Sequence, residues 1–203
     1  MDIITLIALI IFVICFWGYH YAYIWLTNKR KFKTKQYRAD QAIHTWFKSV
    51  LEKNEYLLFV HQTRNIVMAV TFLATTVTVL LGFIFGFSTL GHGEPIGDIL
   101  IEGYPFWLIV VTLIWSFLNL ILSLRHYTRV TYLINTDAAV LKNISGKPPE
   151  EYLCSLFIKG NTQYKIGRRG VLYAMVVLIW YLNVWAFVLS TIIVTGMFLH
   201  NDK

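Results

Sequence analysis

Polar side chains recur at helical spacing inside two of the most apolar stretches of this 203-residue chain. A polar group is costly inside a bilayer, so it faces protein or water and marks a helix interface, an ion path or a binding site. Steps of three and four residues keep each set on one helical face. The first line comprises Arg64, Thr71, Thr75, Thr78, Gly82 and Gly86, and the second comprises Thr112, Ser116, Asn119, Ser123, His126 and Arg129.

Two interpretations of these polar lines remain open. Small and hydroxyl residues let helix backbones approach and hydrogen-bond, which makes helix packing the common explanation. The alternative is a hydrated path between the two helices or between subunits, with Arg64, Arg129 and Arg169 around its inner mouth. A ring of arginines favours anions. Asn119 is the most informative residue for either interpretation, because an amide at mid-membrane needs a partner or water.

Patterns of catalytic or metal-binding residues are absent from the sequence. It contains no phosphate-binding Walker loop, no HExxH and no G-x-S-x-G motif, and no carboxylate pair lies inside an apolar stretch. His20, His61 and His126 lie near the predicted inner membrane boundary, but no two of them are three or four residues apart. Such a spacing would favour a helical metal or haem site. We therefore expect neither an enzyme nor a bound cofactor or metal.

The amino-acid composition indicates a membrane protein. Hydrophobic residues make up 57% of the chain and charged residues only 14%, against about 25% charged residues in soluble domains. A helix of about 20 apolar residues crosses a bilayer, and four stretches qualify: 3–26, 66–87, 105–124 and 171–199. We predict an all-α polytopic membrane protein, in which residues 1–203 form one membrane domain with four transmembrane helices in a bundle.

The distribution of basic residues predicts the orientation in the membrane. Connections 27–65 and 125–170 carry nine and eight of the 18 Lys and Arg residues, whereas the 88–104 loop carries none. Basic connections stay in the cytoplasm. We therefore predict a multi-pass protein of the cell membrane with both termini and the 88–104 loop outside. The net charge of +7 then reflects topology and attraction to anionic inner-leaflet lipids rather than nucleic-acid binding.

Both cytoplasmic connections are expected to contain helices. Ile43, Trp46, Phe47, Val50 and Leu51 recur at amphipathic spacing, which predicts a helix on the inner membrane surface or against the bundle. The Gly-Lys-Pro-Pro sequence at 146–149 predicts a turn, and the acidic pair at 150–151 suits the first turn of a following helix. Residues 56–60 lead directly into the second span, so that helix is predicted to begin below the membrane.

Two sequence elements resemble those of a known family. Residues 64–76 read R-N-I-V-M-A-V-T-F-L-A-T-T, which resembles the R-N-x-x-M-A-x-x-x-L-A-T-T signature of the domain-of-unknown-function 599 family. Arg125-His126-Tyr127, followed by Val130, is similar to the R-[HY]-Y-x-x-V element of that family. Together these elements place the second and third spans in the family pattern.

The region around the last span adds to the resemblance. Gly167, Arg169, Tyr173 and Trp180 lie where the family has a glycine, an arginine, an aromatic residue and a tryptophan. The family usually continues with Gly-Pro, whereas this chain has Asn183-Val184. The resemblance implies a four-helix membrane protein, and it brings no agreed activity, cofactor or catalytic residue.

Two functions are consistent with the sequence. The first is a small oligomeric channel or facilitator for ions, with an anion-favouring inner mouth, or for small solutes. The second is a non-transporting scaffold that binds anionic lipids or partner proteins through its basic cytoplasmic face. We expect a homo-oligomer, because four spans alone rarely enclose a wide path.

Overall fold

A computed structural model describes residues 3–22, 35–53, 55–90 and 103–202. Within these ranges the chain is almost wholly helical, which confirms the predicted all-α class. The basic run at 29–33 and the loop carboxylates Glu94, Asp98 and Glu102 lie outside the described residues. The helices are α1 (Ile3–Ala22), α2 (Lys35–Glu52), α3 (Tyr56–Leu90), α4 (Tyr104–Leu133), α5 (Ala138–Ser145), α6 (Pro149–Leu178) and α7 (Val184–Asp202).

Four helices, α1, α3, α4 and α7, are long and apolar enough to cross a membrane. This confirms the predicted polytopic membrane protein. Helix α3 begins at Tyr56 and α4 continues to Leu133, so both extend beyond the predicted spans 66–87 and 105–124. The 30 residues of α4 measure about 45 Å, against about 30 Å for the hydrocarbon core of a bilayer. The predicted helical extensions outside the membrane are therefore present.

The last apolar stretch, predicted as one helix over 171–199, contains a break. Helix α6 ends at Leu178, a 3-10 turn spans Ile179–Tyr181, and α7 begins at Val184. The side-chain oxygen of Asn183 accepts hydrogen bonds from the backbone N–H groups of Trp185 at 2.8 Å and Ala186 at 3.2 Å. Asn183 thus caps the start of a new helix. Hydropathy does not detect this break, because one uncharged asparagine leaves the surrounding run apolar.

Helix α7 folds back antiparallel along α6. Near the turn, the ring of Trp180 packs on that of Phe187 with their centres 4.6 Å apart. Farther from the turn, the hydroxyl groups of Tyr173 and Thr195 are hydrogen-bonded at 2.8 Å. The two helices therefore form a hairpin whose open ends point in the same direction.

The hairpin places the two ends of the described chain at opposite ends of the bundle. Helix α7 runs parallel to α1, because Phe12 packs on Phe187 and Tyr19 packs on Phe198. The start of α1 and the end of α7 are consequently on opposite sides, whereas the sequence predicted both termini on one side. The physical reason is the break at Asn183. Helix α6 already runs along α4 through the bundle, although it is not one of the four apolar helices, and after the break α7 runs back to the end from which α6 starts.

Helix α2 is the predicted amphipathic helix, and it packs against the bundle. Phe47 and Val50 are buried. The ring of Phe47 lies 5.1 Å from that of Phe59 in α3 and 5.3 Å from that of Phe157 in α6, and Tyr127 of α4 lies 5.1 Å from Phe157. These residues form an aromatic cluster that joins four helices. We call this side of the bundle, where the described Lys and Arg residues of both connections lie, the basic end.

Helices α4 and α6 form the centre of the fold. They are the most extensively packed pair, and α4 is the most deeply buried of the four apolar helices. Helix α6 also contacts α2, α5 and α7. Helix α3 packs mainly on α4 and leaves most of its apolar surface exposed. The polar line of α4 therefore lies at the centre of the fold, whereas that of α3 lies at its periphery.

Candidate functional site

The polar line of α4 faces α6, and its serine hydroxyls join the two helices. Ser116 Oγ donates a hydrogen bond to the backbone carbonyl of Gly167, and Ser123 Oγ donates one to that of Gly160 at 2.8 Å. Both serines are fully buried. Hydrogen bonds between membrane helices contribute about 0.6 kcal/mol each on average. The middle of this line is therefore a helix interface.

Glycines in α6 allow the close approach of α4. A Cβ atom at position 167 would lie 2.8 Å from Leu120 Cγ and 3.1 Å from the carbonyl oxygen of Ser116. At Gly170 it would lie 2.9 Å from Ser116 Cβ, and at Gly160 it would lie 3.2 Å from Tyr127 Cε1. A side chain at 167 or 170 would have to push the helices apart. Small residues on one helix and hydroxyls on the other thus produce a tight contact.

Two other polar residues of the α4 line donate hydrogen bonds within α4 itself. The Thr112 hydroxyl donates to the backbone carbonyl of Leu108 at 2.6 Å, and the Asn119 amide donates to that of Trp115 at 2.8 Å. Thr112 and Asn119 are both buried. The amide nitrogen of Asn119 therefore has a protein partner within its own helix.

The α4 line leaves the α6 interface at the basic end. His126 is half-buried, and its Cβ would be 3.3 Å from a Cβ added at Gly160. Arg129, one turn farther, is exposed. The α4 line therefore passes from the buried α4–α6 interface to the exposed surface within a single helical turn.

The polar line of α3 faces away from the rest of the chain. Buried Val70, Ala74 and Val77 define the packed face of α3. A Cβ added at Gly82 would meet nothing within 4 Å, and the Thr78 hydroxyl donates to the backbone carbonyl of Ala74 at 3.0 Å. The two polar lines therefore do not meet between α3 and α4. The exposed members of the α3 line are Arg64, Thr71, Thr75, Thr78 and Gly82.

The three arginines predicted around one mouth lie in different places. Arg169 is buried, with its guanidinium carbon 5.3 Å from the ring centre of Tyr19 and 5.4 Å from that of Phe198. Such contacts attract a cation to the faces of aromatic rings. Arg64 and Arg129 are exposed on α3 and α4. Arg169 thus lies where α1 and α7 meet α6.

Sequence reasoning missed the packing role of the glycines at 160, 167 and 170, of which only Gly167 was named, as part of the family resemblance. Their steps of seven and three residues place them on one face of α6, which is a signal of close helix packing. The stretch also carries Lys159, Lys165 and Arg168, so it was assigned to a connection outside the membrane. These charges indicate a segment outside the membrane and therefore obscure a glycine spacing that is typical of helix packing.

The chemistry available for metals and thiols is limited. Within the part of the chain that the structure describes, no three His, Cys, Asp or Glu residues converge on a metal site. Cys154 is a free thiol in the buried part of α6. Burial, with a smaller contribution from Asp40, raises the pKa of the Cys154 thiol to about 11. Since the thiolate is the reactive form, Cys154 is suited to packing rather than to nucleophilic chemistry.

Comparison with known proteins agrees with the resemblance seen in the sequence. The family model described as "Protein of unknown function, DUF599" matches residues 7–203. The chain belongs to this family. No curated protein and no solved structure matches it. The family match assigns no activity, and the multi-pass membrane character rests on the four apolar helices.

Proposed function

We propose that this protein is a homo-oligomeric, non-enzymatic membrane protein in which the polar faces of α3 from neighbouring copies meet and enclose a narrow path for small ions or solutes. The observation that carries the proposal is the exposure of the α3 line. A single chain leaves these residues facing lipid. A second copy would give them a protein or water environment, which polar groups in a membrane favour.

The other polar residues support an intermolecular rather than an intramolecular path. The buried hydroxyl and amide groups of α4 are bonded to backbone carbonyls. The α3 face is the predicted line that stays open, with Arg64 at its basic end and Gly82 at its other end. Repetition of Arg64 around an oligomer would give its inner mouth a positive charge and a preference for anions.

A non-transporting scaffold is the second candidate function. It is favoured by the hydrogen bond from the Thr78 hydroxyl to the Ala74 carbonyl, which leaves that part of the face suited to a dry helix contact. A dry oligomer would use the same α3 face without conducting. Assembly and conduction therefore have to be measured separately.

We further propose that the basic end faces the cytoplasm of the cell membrane. Lys and Arg residues concentrate in the connections at this end and oppose translocation. The start of α1 would then lie outside and the end of α7 inside. A reporter fused after Lys203 should read as cytoplasmic, and one at Met1 as exported. Identical readings at both ends would contradict this orientation.

Cysteine cross-linking tests the assembly. In a Cys15→Ala, Cys154→Ala background, Thr75→Cys should cross-link between copies in liposomes treated with a bis-maleimide. Thr76→Cys is the matched control, because Thr76 has the same side chain and depth but lies about 100° around the helix. Equal cross-linking of the two variants, or none with either, would overturn the proposed α3 interface.

Flux measurements in proteoliposomes test the path. Wild type should conduct chloride faster than potassium, and Arg64→Glu should shift this preference towards cations because it reverses the charge at the mouth. Cross-linked oligomers without flux of any small ion would contradict the path and favour the scaffold. Flux that is unchanged in Arg64→Glu would contradict the proposed mouth.

A further inference from the structure

A shallow, widely open depression lies along the face of α4 that is turned away from α6. Its volume is about 650 Å³, and the described residues that line it all belong to α4: Ile121, Leu124, Arg125, Thr128, Arg129 and Tyr132. Ile121 lies two residues, or about 200° around the helix, from the α6-facing Ser123. We call this surface the arginine groove. It is separate from the α3 face and takes no part in the α4–α6 contact.

The polar groups of the arginine groove are nearly all donors. Arg125 and Arg129 are exposed, and no carboxylate of the described residues forms an ion pair with either of them. The Thr128 hydroxyl already donates to the backbone carbonyl of Leu124 at 2.8 Å. The groove therefore offers two guanidinium groups and favours an anion.

The depth of the groove matches the edge of a bilayer. Ile121 and Leu124 belong to the end of the apolar run 105–124. Arg125 and Arg129 follow Leu124 by about 1.5 and 7.5 Å along the helix axis. The headgroup layer of each leaflet is about 5–8 Å thick. Both arginines thus lie at headgroup depth, directly below an apolar surface suited to an acyl chain.

We propose that the arginine groove binds an anionic phospholipid of the leaflet at the basic end. The lipid phosphate lies between the guanidinium groups of Arg125 and Arg129, each of which binds phosphate oxygens with paired N–H donors. The acyl chain lies along Ile121 and Leu124. Continuity between the apolar and cationic parts of one groove favours a lipid over a free phosphate ion, which would use the arginines alone.

Native mass spectrometry of the purified protein tests this site. The protein is mixed with phosphatidylglycerol or phosphatidylcholine of the same acyl chains, and the lipid-bound fraction is measured. Wild type should bind phosphatidylglycerol more tightly. Arg125→Gln with Arg129→Gln should weaken that binding roughly thirtyfold and abolish the preference, since a basic residue near a membrane surface contributes about a fivefold factor.

A matched control separates this site from general surface charge. Lys53→Gln with Lys142→Gln removes two exposed basic residues outside the groove and should leave the preference intact. An equal loss in this control, or a full preference in the arginine variant, would overturn the proposal. Competition by inorganic phosphate as strong as that by the lipid would also overturn it, in favour of a free-anion site. None of these three outcomes depends on whether the protein forms oligomers.

Discussion

Helices α3 and α4 each carry a line of hydroxyl residues, but only the line of α4 is covered within one chain. Ser116 and Ser123 are buried against the glycines of α6. Thr71 and Thr75 are exposed at comparable intervals along α3. The residue types on the two helices are similar, and the difference comes from the neighbour. A polar line shows that a face needs a partner, but the partner is defined by a complementary surface such as the glycine face of α6.

The largest effect that we expect is a difference in thiol reactivity between the buried and the exposed face of α6. At neutral pH a thiol with a pKa of about 11 has about a hundredth of the thiolate of one with the ordinary value of 9.0. Cys154 should therefore react with N-ethylmaleimide at least about a hundredfold more slowly than an exposed Lys159→Cys in a Cys15→Ala background. Its rate should rise with pH until about 11. Similar rates at neutral pH would mean that the Cys154 face is open.

Valine in place of glycine should distinguish the two lines by stability. Gly170→Val would force a side chain against Ser116 Cβ, 2.9 Å from the new Cβ, and overpacking of this kind costs about 1–3 kcal/mol. Gly82→Val meets open space and should leave the thermal unfolding of the monomer unchanged. Thermal unfolding in a detergent that keeps the protein monomeric provides the measurement. A loss of stability in Gly82→Val equal to that in Gly170→Val would contradict the contrast.

Removal of single hydroxyls should have the smallest effect. Ser116→Ala or Ser123→Ala should each lower stability by about 0.6 kcal/mol, because an interhelical hydrogen bond is lost. Thr78→Ala is the matched control on α3, since its hydroxyl bonds only its own helix in a single chain. Denaturant unfolding of detergent-solubilised protein would measure the difference. Equal losses in the serine and threonine variants would show that the α4–α6 hydrogen bonds have no special role.

The spans and the amphipathic helix could be predicted because each depends on local periodicity. The long apolar runs are enough to locate α1, α3 and α4, and the spacing of Trp46, Phe47 and Val50 is enough to identify the buried face of α2. Hydropathy fails at Asn183, where a single side chain caps a helix without changing the mean hydropathy of the run. The placement of the two chain ends at opposite ends of the bundle depends on the helix break that this cap marks.

The surroundings of the polar residues could be predicted only in part. Spacing groups Ser116, Asn119 and Ser123 on one face, but their partners depend on which helix packs there. Arg169 shows the same limit, because its burial depends on Tyr19, which lies more than a hundred positions away in the sequence, and on Phe198, which the α7 hairpin brings back to α6. Such contacts are long-range in sequence and leave no local pattern.

The continuity of α4 and α6 across the membrane boundary has a mechanical consequence. Each helix runs for 30 residues without interruption, and the aromatic cluster fastens α2 and α3 to their extensions. The pair therefore forms a stiff unit, with roughly 15 Å of its length outside the hydrocarbon core. If bilayer thickness or tension changed the tilt of these helices, their basic end would move farther than the part inside the hydrocarbon core. A difference in bilayer thickness that tilts α4 and α6 would therefore also move the basic end.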